Sequence, residues 1–116
     1  MILACRDVDK ANVAIDEIKD KVPDANLVNM KLDLSSIKSI EQFAEKVLAE
    51  QPQIDILVNN AGLVTNKYIL TEDDYEIHFG VNYLSHFYLT LLLLERLMSS
   101  ENAKIVNVSA MGHRCE

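Results

Sequence analysis

Short runs of consecutive apolar residues alternate along this chain with longer segments in which apolar residues recur every three or four positions. The first rhythm suits strands, the second helices with one buried stripe. Ile2–Cys5 is the first run. Asp7 can then cap a helix extending to about Val22, with Val8, Ala11, Ile15, Ile18 and Val22 on one stripe. Asp9, Lys10, Asp16, Glu17, Lys19 and Asp20 fall largely off it, and Pro23-Asp24 ends it. Leu27–Leu32 predicts a second strand, closing on Asp33. Ser35 or Ser36 caps a helix through about Glu50, with Ile37, Ile40, Phe43, Ala44, Val47 and Leu48 facing inward. After Gln51-Pro52-Gln53, Ile54–Val58 is short and β-branched, the pattern of a strand buried on both faces of a parallel sheet.

Val64–Leu70 predicts a loop. Thr71 with Asp74 three residues on resembles a capping box, although Asp is a shorter partner than Glu. The spacing then predicts one long helix from Glu72 to about Met98, interrupted near Gly80. Phe79, Asn82, Tyr83, His86, Thr90, Leu93 and Leu97 fall roughly along one side of it. Ser99–Asn102 makes a turn, and Lys104–Val108 is a final strand. Strands alternating with helices in this way imply parallel strands with right-handed crossovers: an α/β fold with a doubly wound sheet.

A length of 116 residues fits one modest domain, and 25% charged with 49% hydrophobic residues is ordinary for a globular chain. The formal net charge of -7, with no basic stripe, argues against nucleic acid as a partner. The longest apolar stretch, Phe87–Leu94, is broken by Thr90 and too short to cross a bilayer. The opening residues lack the basic lead of a signal peptide. Cys5 and Cys115 lie near opposite ends and read as reduced thiols, which implies an intracellular setting. His78, His86 and His113 are too widely spaced for a local metal motif, and His113 near Cys115 is at most a two-ligand stub, so no metal is expected.

Chemistry concentrates where the third strand stops, at Asn59-Asn60-Ala61-Gly62. In an open α/β sheet ligands bind at the carboxyl ends of strands. Ala61 and Gly62 let a flat ligand approach the backbone, while two amides satisfy loop donors and acceptors. A pair of asparagines forming a turn explains the same residues equally well.

Following Asp55-Ile56-Leu57-Val58, this tetrapeptide resembles the signature of the short-chain dehydrogenase/reductase family. Four further segments resemble the family pattern in the same order. Ala4-Cys5-Arg6-Asp7 matches the end of its second strand, and Leu32-Asp33-Leu34 the end of its third. Val81-Asn82 with His86-Phe87 matches its long active-site helix, and Ile105–Ser109 its fifth strand. The Ala-Cys-Arg-Asp opening and the His-Phe-Tyr-Leu-Thr helix look most like the retinol dehydrogenase branch. The resemblance implies that residues 1–116 are part of an NAD(P)-binding Rossmann domain. It gives Arg6 the adenosine 2′-phosphate, favouring NADP(H) over NAD(H), because a guanidinium grips phosphate as a fork. Asp33 would meet the adenine amino group with the Leu34 backbone assisting. Asn60, Ala61 and Gly62 would pack along the ribose and nicotinamide, and Asn59 would tie adjacent strands. The backbone carbonyl of Asn82 would position a water in a proton relay. The parent protein would then interconvert a lipophilic alcohol and its carbonyl, retinoid or other, as a homo-oligomer in the cytoplasm or on the cytoplasmic face of a membrane.

The pattern also breaks. The family opens with a strand and a glycine-rich turn that seats the pyrophosphate on a helix N-terminus, yet no glycine precedes Gly62. The family's Tyr-x-x-x-Lys does not occur. Ala110 stands where the family's catalytic serine is expected, and Ser109 would point to the opposite face. In the family's strand order 3-2-1-4-5-6 the first strand lies between the second and fourth. Ile2–Cys5 and Ile54–Val58 are therefore expected to lack a shared neighbour and to expose edges. An internal piece of an oxidoreductase, inactive by itself, is the resulting expectation. A non-catalytic relative acting through protein interactions accounts for Ala110 as well. A flavodoxin-like module shares the alternation, but Arg6 after the first strand argues against it.

Overall fold

The computed structural model describes residues 1–110; His113 and Cys115 lie outside the described residues. The elements run β1 (Ile2–Cys5), α1 (Val8–Lys21), β2 (Val28–Lys31), α2 (Ile37–Glu50), β3 (Ile56–Asn59), a π-helical segment (Phe79–Leu84), α3 (Ser85–Met98) and β4 (Lys104–Asn107). The caps lie where the sequence places them. Asp7 accepts the Lys10 N–H at the start of α1, and Ser36 accepts the Ser39 N–H at the start of α2.

Both strand pairings among the described residues are parallel. β1 pairs with β2 and β3 with β4, so the described strands form two separate two-stranded sheets. Among the described residues β1 and β3 share no neighbour. α1 lies on one face of the β1–β2 pair, where the Asn29 amide donates to the Val8 carbonyl and to Asn12. The adjacent Met30 points the other way, into a core built with Ile40, Phe43, Val47, Leu89, Leu93 and Leu97. Arg96 ties α3 to the end of α2 by donating to the carbonyls of Gln51 and Leu48, two of the orphan acceptors of a helix C-terminus.

Two expectations are corrected. β3 is not buried on both faces: Leu57 and Asn59 turn inward, whereas Ile56 and Val58 are 58% and 53% exposed, because no helix among the described residues lies on their side. The long helix does not start at Glu72. Thr71 Oγ1 accepts the N–H groups of Asp73 and Tyr75, Asp74 takes a φ of 63°, and Leu70 bridges Glu76 in antiparallel fashion. A short side chain has thus offered the backbone a turn in place of a helix. The helix begins at Ile77, capped by Glu76, whose carboxylate accepts from the backbone of His78 and Phe79.

The helix buries a single stripe. Ile77, Val81, Ser85, Leu89, Leu93 and Leu97 face the core, while Phe79, Tyr83 and Phe87 are exposed and in ring contact. A step of four overshoots an α-helical turn and falls short of a π turn. The wider turn, shown by the Ser85 N–H reaching the Gly80 carbonyl, therefore keeps a single stripe on the core. Gly80 is required there, since a Cβ would lie 2.6 Å from Thr71 Cγ2.

Candidate functional site

Within each parallel pair the carboxyl ends lie at the same edge, and the sequence places its chemistry just beyond the strand ends. Arg6 follows β1, Asp33 and Leu34 follow β2, Asn60–Gly62 follow β3, and Ala110 lies three residues beyond β4. Arg6 is exposed at the bend between β1 and α1. Asp33 is half-buried and partly committed: its Oδ1 accepts from the Ser35 N–H at 2.9 Å and the Ser35 hydroxyl at 2.7 Å. That arrangement is an Asx turn leading into α2, and Asp33 lines a polar cleft with Lys31, Ser36, Lys38 and Glu72. Leu34 is buried, and its carbonyl accepts from the buried Ser85 hydroxyl, which pins the β2 rim to α3.

Asn59 is 5% exposed and holds the rim from beneath. Its amide donates to Asn107 Oδ1 on β4 at 2.8 Å and to the Thr90 hydroxyl on α3 at 3.1 Å. Asn60, Ala61 and Gly62 then leave the strand as exposed backbone. Gly62 lies beside Asn82: a Cβ there would sit 3.6 Å from Asn82 Oδ1, an ordinary contact.

The side chain of Asn82 clamps the next residue from both sides. Its Oδ1 accepts the Leu63 N–H and its Nδ2 donates to the Leu63 carbonyl, each at 2.9 Å. Its backbone carbonyl lies 3.1 Å from His86 Nδ1. The π-helical segment thus brings Asn82 against the loop leaving β3. Arg6 and Asp33 follow the strands of the other sheet.

Two groups missed by sequence reasoning complete the loop's attachment. His78 Nε2 accepts the Thr65 N–H at 3.0 Å, and His78 Nδ1 lies 2.7 Å from Glu76 Oε1. Backbone N–H groups from Phe79 and His78, with the His78 ring, hold the Glu76 carboxyl down to about 2. The signal available in sequence was the pair Glu76-x-His78, legible only once the helix start is known. Among the described residues no group of three or more His, Cys, Asp or Glu is arranged to hold a metal, and no helix is long and apolar enough to cross a membrane.

Comparison with known proteins gives this rim a family. The chain is 50% identical over 111 residues to mouse retinol dehydrogenase 12, covering 96% of this chain and 35% of that protein. It is 46% identical over 113 residues to mouse retinol dehydrogenase 13, covering 97% and 34%. Its structure superposes with a TM-score of 0.79 on a metagenomic short-chain oxidoreductase solved in complex with NADP. That protein is 26% identical, and the match covers 95% of this chain and 50% of the other. The chain spans about a third of the length of these curated relatives. A family model described as short chain dehydrogenase matches residues 1–114, and the chain accordingly belongs to that family of Rossmann-fold oxidoreductases, on the retinol dehydrogenase branch.

Proposed function

We propose that the full-length protein is an NADP(H)-dependent oxidoreductase interconverting a lipophilic alcohol and its carbonyl. Residues 1–116 would supply its adenosine-binding rim and the segment bearing Asn82. The reading is supported by the positions of Arg6, Asp33 and Asn60–Gly62 just past the carboxyl ends of β1, β2 and β3, with Asn82 seated against the loop beyond Gly62.

The residues present fit a dinucleotide's adenosine end. Arg6 offers an exposed guanidinium for a 2′-phosphate, a group it binds as a charge-assisted fork. Asp33 keeps one carboxylate oxygen outside its Asx turn for an amino group. The exposed, nearly side-chain-free stretch Asn60–Gly62 admits a ribose or a flat ring against backbone. When bound, a nicotinamide cofactor supplies or accepts hydride. This chain's part is to orient it. The Asn82 amide fixes the backbone just past Gly62, and the Asn82 carbonyl is an acceptor able to hold a water near the reacting end. The cofactor-bound metagenomic relative supports NADP.

Ala110 favours a second reading, a non-catalytic relative that binds nucleotide or protein without turnover. One experiment separates the readings. The full-length protein and its Arg6→Glu variant are titrated calorimetrically with NADPH and NADH, and carbonyl reduction is assayed with lipophilic aldehydes. We expect NADPH to bind at least about tenfold more tightly, and Arg6→Glu to erase that preference by replacing attraction with repulsion. Equal affinity for both nucleotides before and after the substitution would remove Arg6 as selector. Intact NADPH binding without turnover would establish the second reading.

A further inference from the structure

Thr65, three residues past Gly62, has its backbone N–H taken by a ring nitrogen rather than by backbone or water. The acceptor, His78 Nε2, can play that role only with its lone pair free. The other ring nitrogen lies 2.7 Å from Glu76 Oε1, and a carboxylate held down to about 2 accepts only, so Nδ1 must carry the proton. The two contacts together specify a neutral ring in the Nδ1–H tautomer. Glu76 is itself fixed by the Phe79 and His78 N–H groups at the helix start, so the ring is oriented from a rigid base. On the same helix, Asn82 holds Leu63 by both its N–H and its carbonyl. Residues 63 and 65 are thus fastened to two successive turns, one through an amide, the other through an imidazole.

We infer that His78, oriented by Glu76, is a positioning residue. Its Nδ1–H tautomer latches Thr65 and so sets the loop that continues from Asn60–Gly62. It touches no reacting atom. Its influence on turnover rests on the oxidoreductase reading above, whereas the latch itself does not. A proton on Nε2 abolishes the acceptor, and a ring flipped to the Nε2–H tautomer offers Thr65 a donor against a donor. Either change releases position 65 while leaving Leu63 held by Asn82.

The test uses the full-length protein and two readouts independent of catalysis. Imidazole 15N correlation spectra report the tautomer of His78, and amide hydrogen exchange reports the Thr65 N–H with Leu63 as internal control. Four proteins are compared: wild type, His78→Gln, His78→Asn and His78→Ala. Gln places an amide oxygen where Nε2 lies and preserves the acceptor; Asn reaches only the Nδ1 position and loses it. We expect an Nδ1–H signature in the wild type. Thr65 exchange should be about tenfold faster in the Asn and Ala variants, near wild-type in His78→Gln, and Leu63 exchange unchanged throughout. An Nε2–H tautomer, or Thr65 exchange insensitive to all three substitutions, overturns the latch. Parallel acceleration of Leu63 and Thr65 also overturns it, because it assigns His78 to general folding. If the latch holds and the protein proves non-catalytic, only the oxidoreductase reading fails.

Discussion

The two strand pairs are alike in length and parallel register, yet their surroundings differ sharply. β1 and β2 are packed from both sides, by α1 through Asn29 and by the core through Met30, which is 2% exposed. β3 and β4 are packed from one. Leu57 and Asn59 meet the helical layer, while Ile56 and Val58 face outward and β4 is exposed along its whole length. A β-branched run therefore records the burial a strand is suited to, not the burial these residues supply. The second pair compensates with polar ties: Asn59 joins Asn107 and Thr90, and the Asp55 carboxylate accepts from Ser100 and Gln53.

Core truncation gives the largest test of that contrast. Met30 on β2 is 2% exposed, so Met30→Ala should cost about 2–5 kcal/mol in transfer and cavity terms. Ile56→Ala, on the bare face, should stay within about 0.5 kcal/mol. Urea unfolding of both variants checks this. Equal losses would mean that the Ile56 face is covered in solution, and the contrast between the pairs would collapse.

A smaller effect is expected where the turn at Thr71 docks on the well-packed half. That turn is anchored to the start of α2 by the Glu72 N–H on the Ser35 carbonyl and by Asp73 accepting from the Ile37 N–H. Gly80→Ala would place a methyl 2.6 Å from Thr71 Cγ2 and 3.3 Å from Tyr75 Cβ, both close to backbone and unable to swing aside. A loss of about 1–3 kcal/mol follows from overpacking. Thr71→Ser keeps the hydroxyl that organises the turn and deletes the clashing methyl. The double variant should thus recover most of the loss in thermal melts. No recovery would show that the clash is not the cause.

The turn also marks the limit of what was legible in the chain. α1 and α2 could be read to within a residue because Asp7 and Ser36 cap locally, and their stripes keep one period throughout. Thr71 and Asp74 have the spacing of a capping box, but local spacing cannot tell a hydroxyl that starts a helix from one that closes a turn. At Phe79–Leu84 the wider turn, which no sequence period announces, accompanies the outward placement of Phe79 and Tyr83. The positions of Arg6, Asp33 and Asn60–Gly62 at strand ends were readable because each follows a short apolar run that forms a strand. The holds on Leu63 and Thr65 were not, since Asn82 and His78 meet residues 19 and 13 positions earlier in the chain.

The subtlest expected effect concerns acid. Each half carries a carboxylate with a lowered pKa, held by donors of different rigidity. Glu76, in the turn docked on α2, is held from 4.5 down to about 2, first by the Phe79 and His78 backbone N–H groups and then by the His78 ring. Asp55, leading into β3, is lowered from its ordinary value by the Ser100 hydroxyl and the Gln53 amide, both side chains. A carboxyl whose folded pKa is depressed binds protons more readily when unfolded. Its stabilising contribution is therefore complete above the unfolded value and is lost as pH falls toward the folded one. For Glu76 that window runs from about 4.5 to about 2. Glu76→Gln should accordingly flatten the decline of stability across this range. Asp55→Asn should change it less, because mobile side-chain donors define a charge less firmly than the fixed N–H groups of a helix start. Denaturant midpoints measured at several pH values between these limits decide the matter. A steeper dependence on Asp55 than on Glu76 would place the acid-sensitive anchor in the sparsely covered half and reverse the contrast drawn from packing.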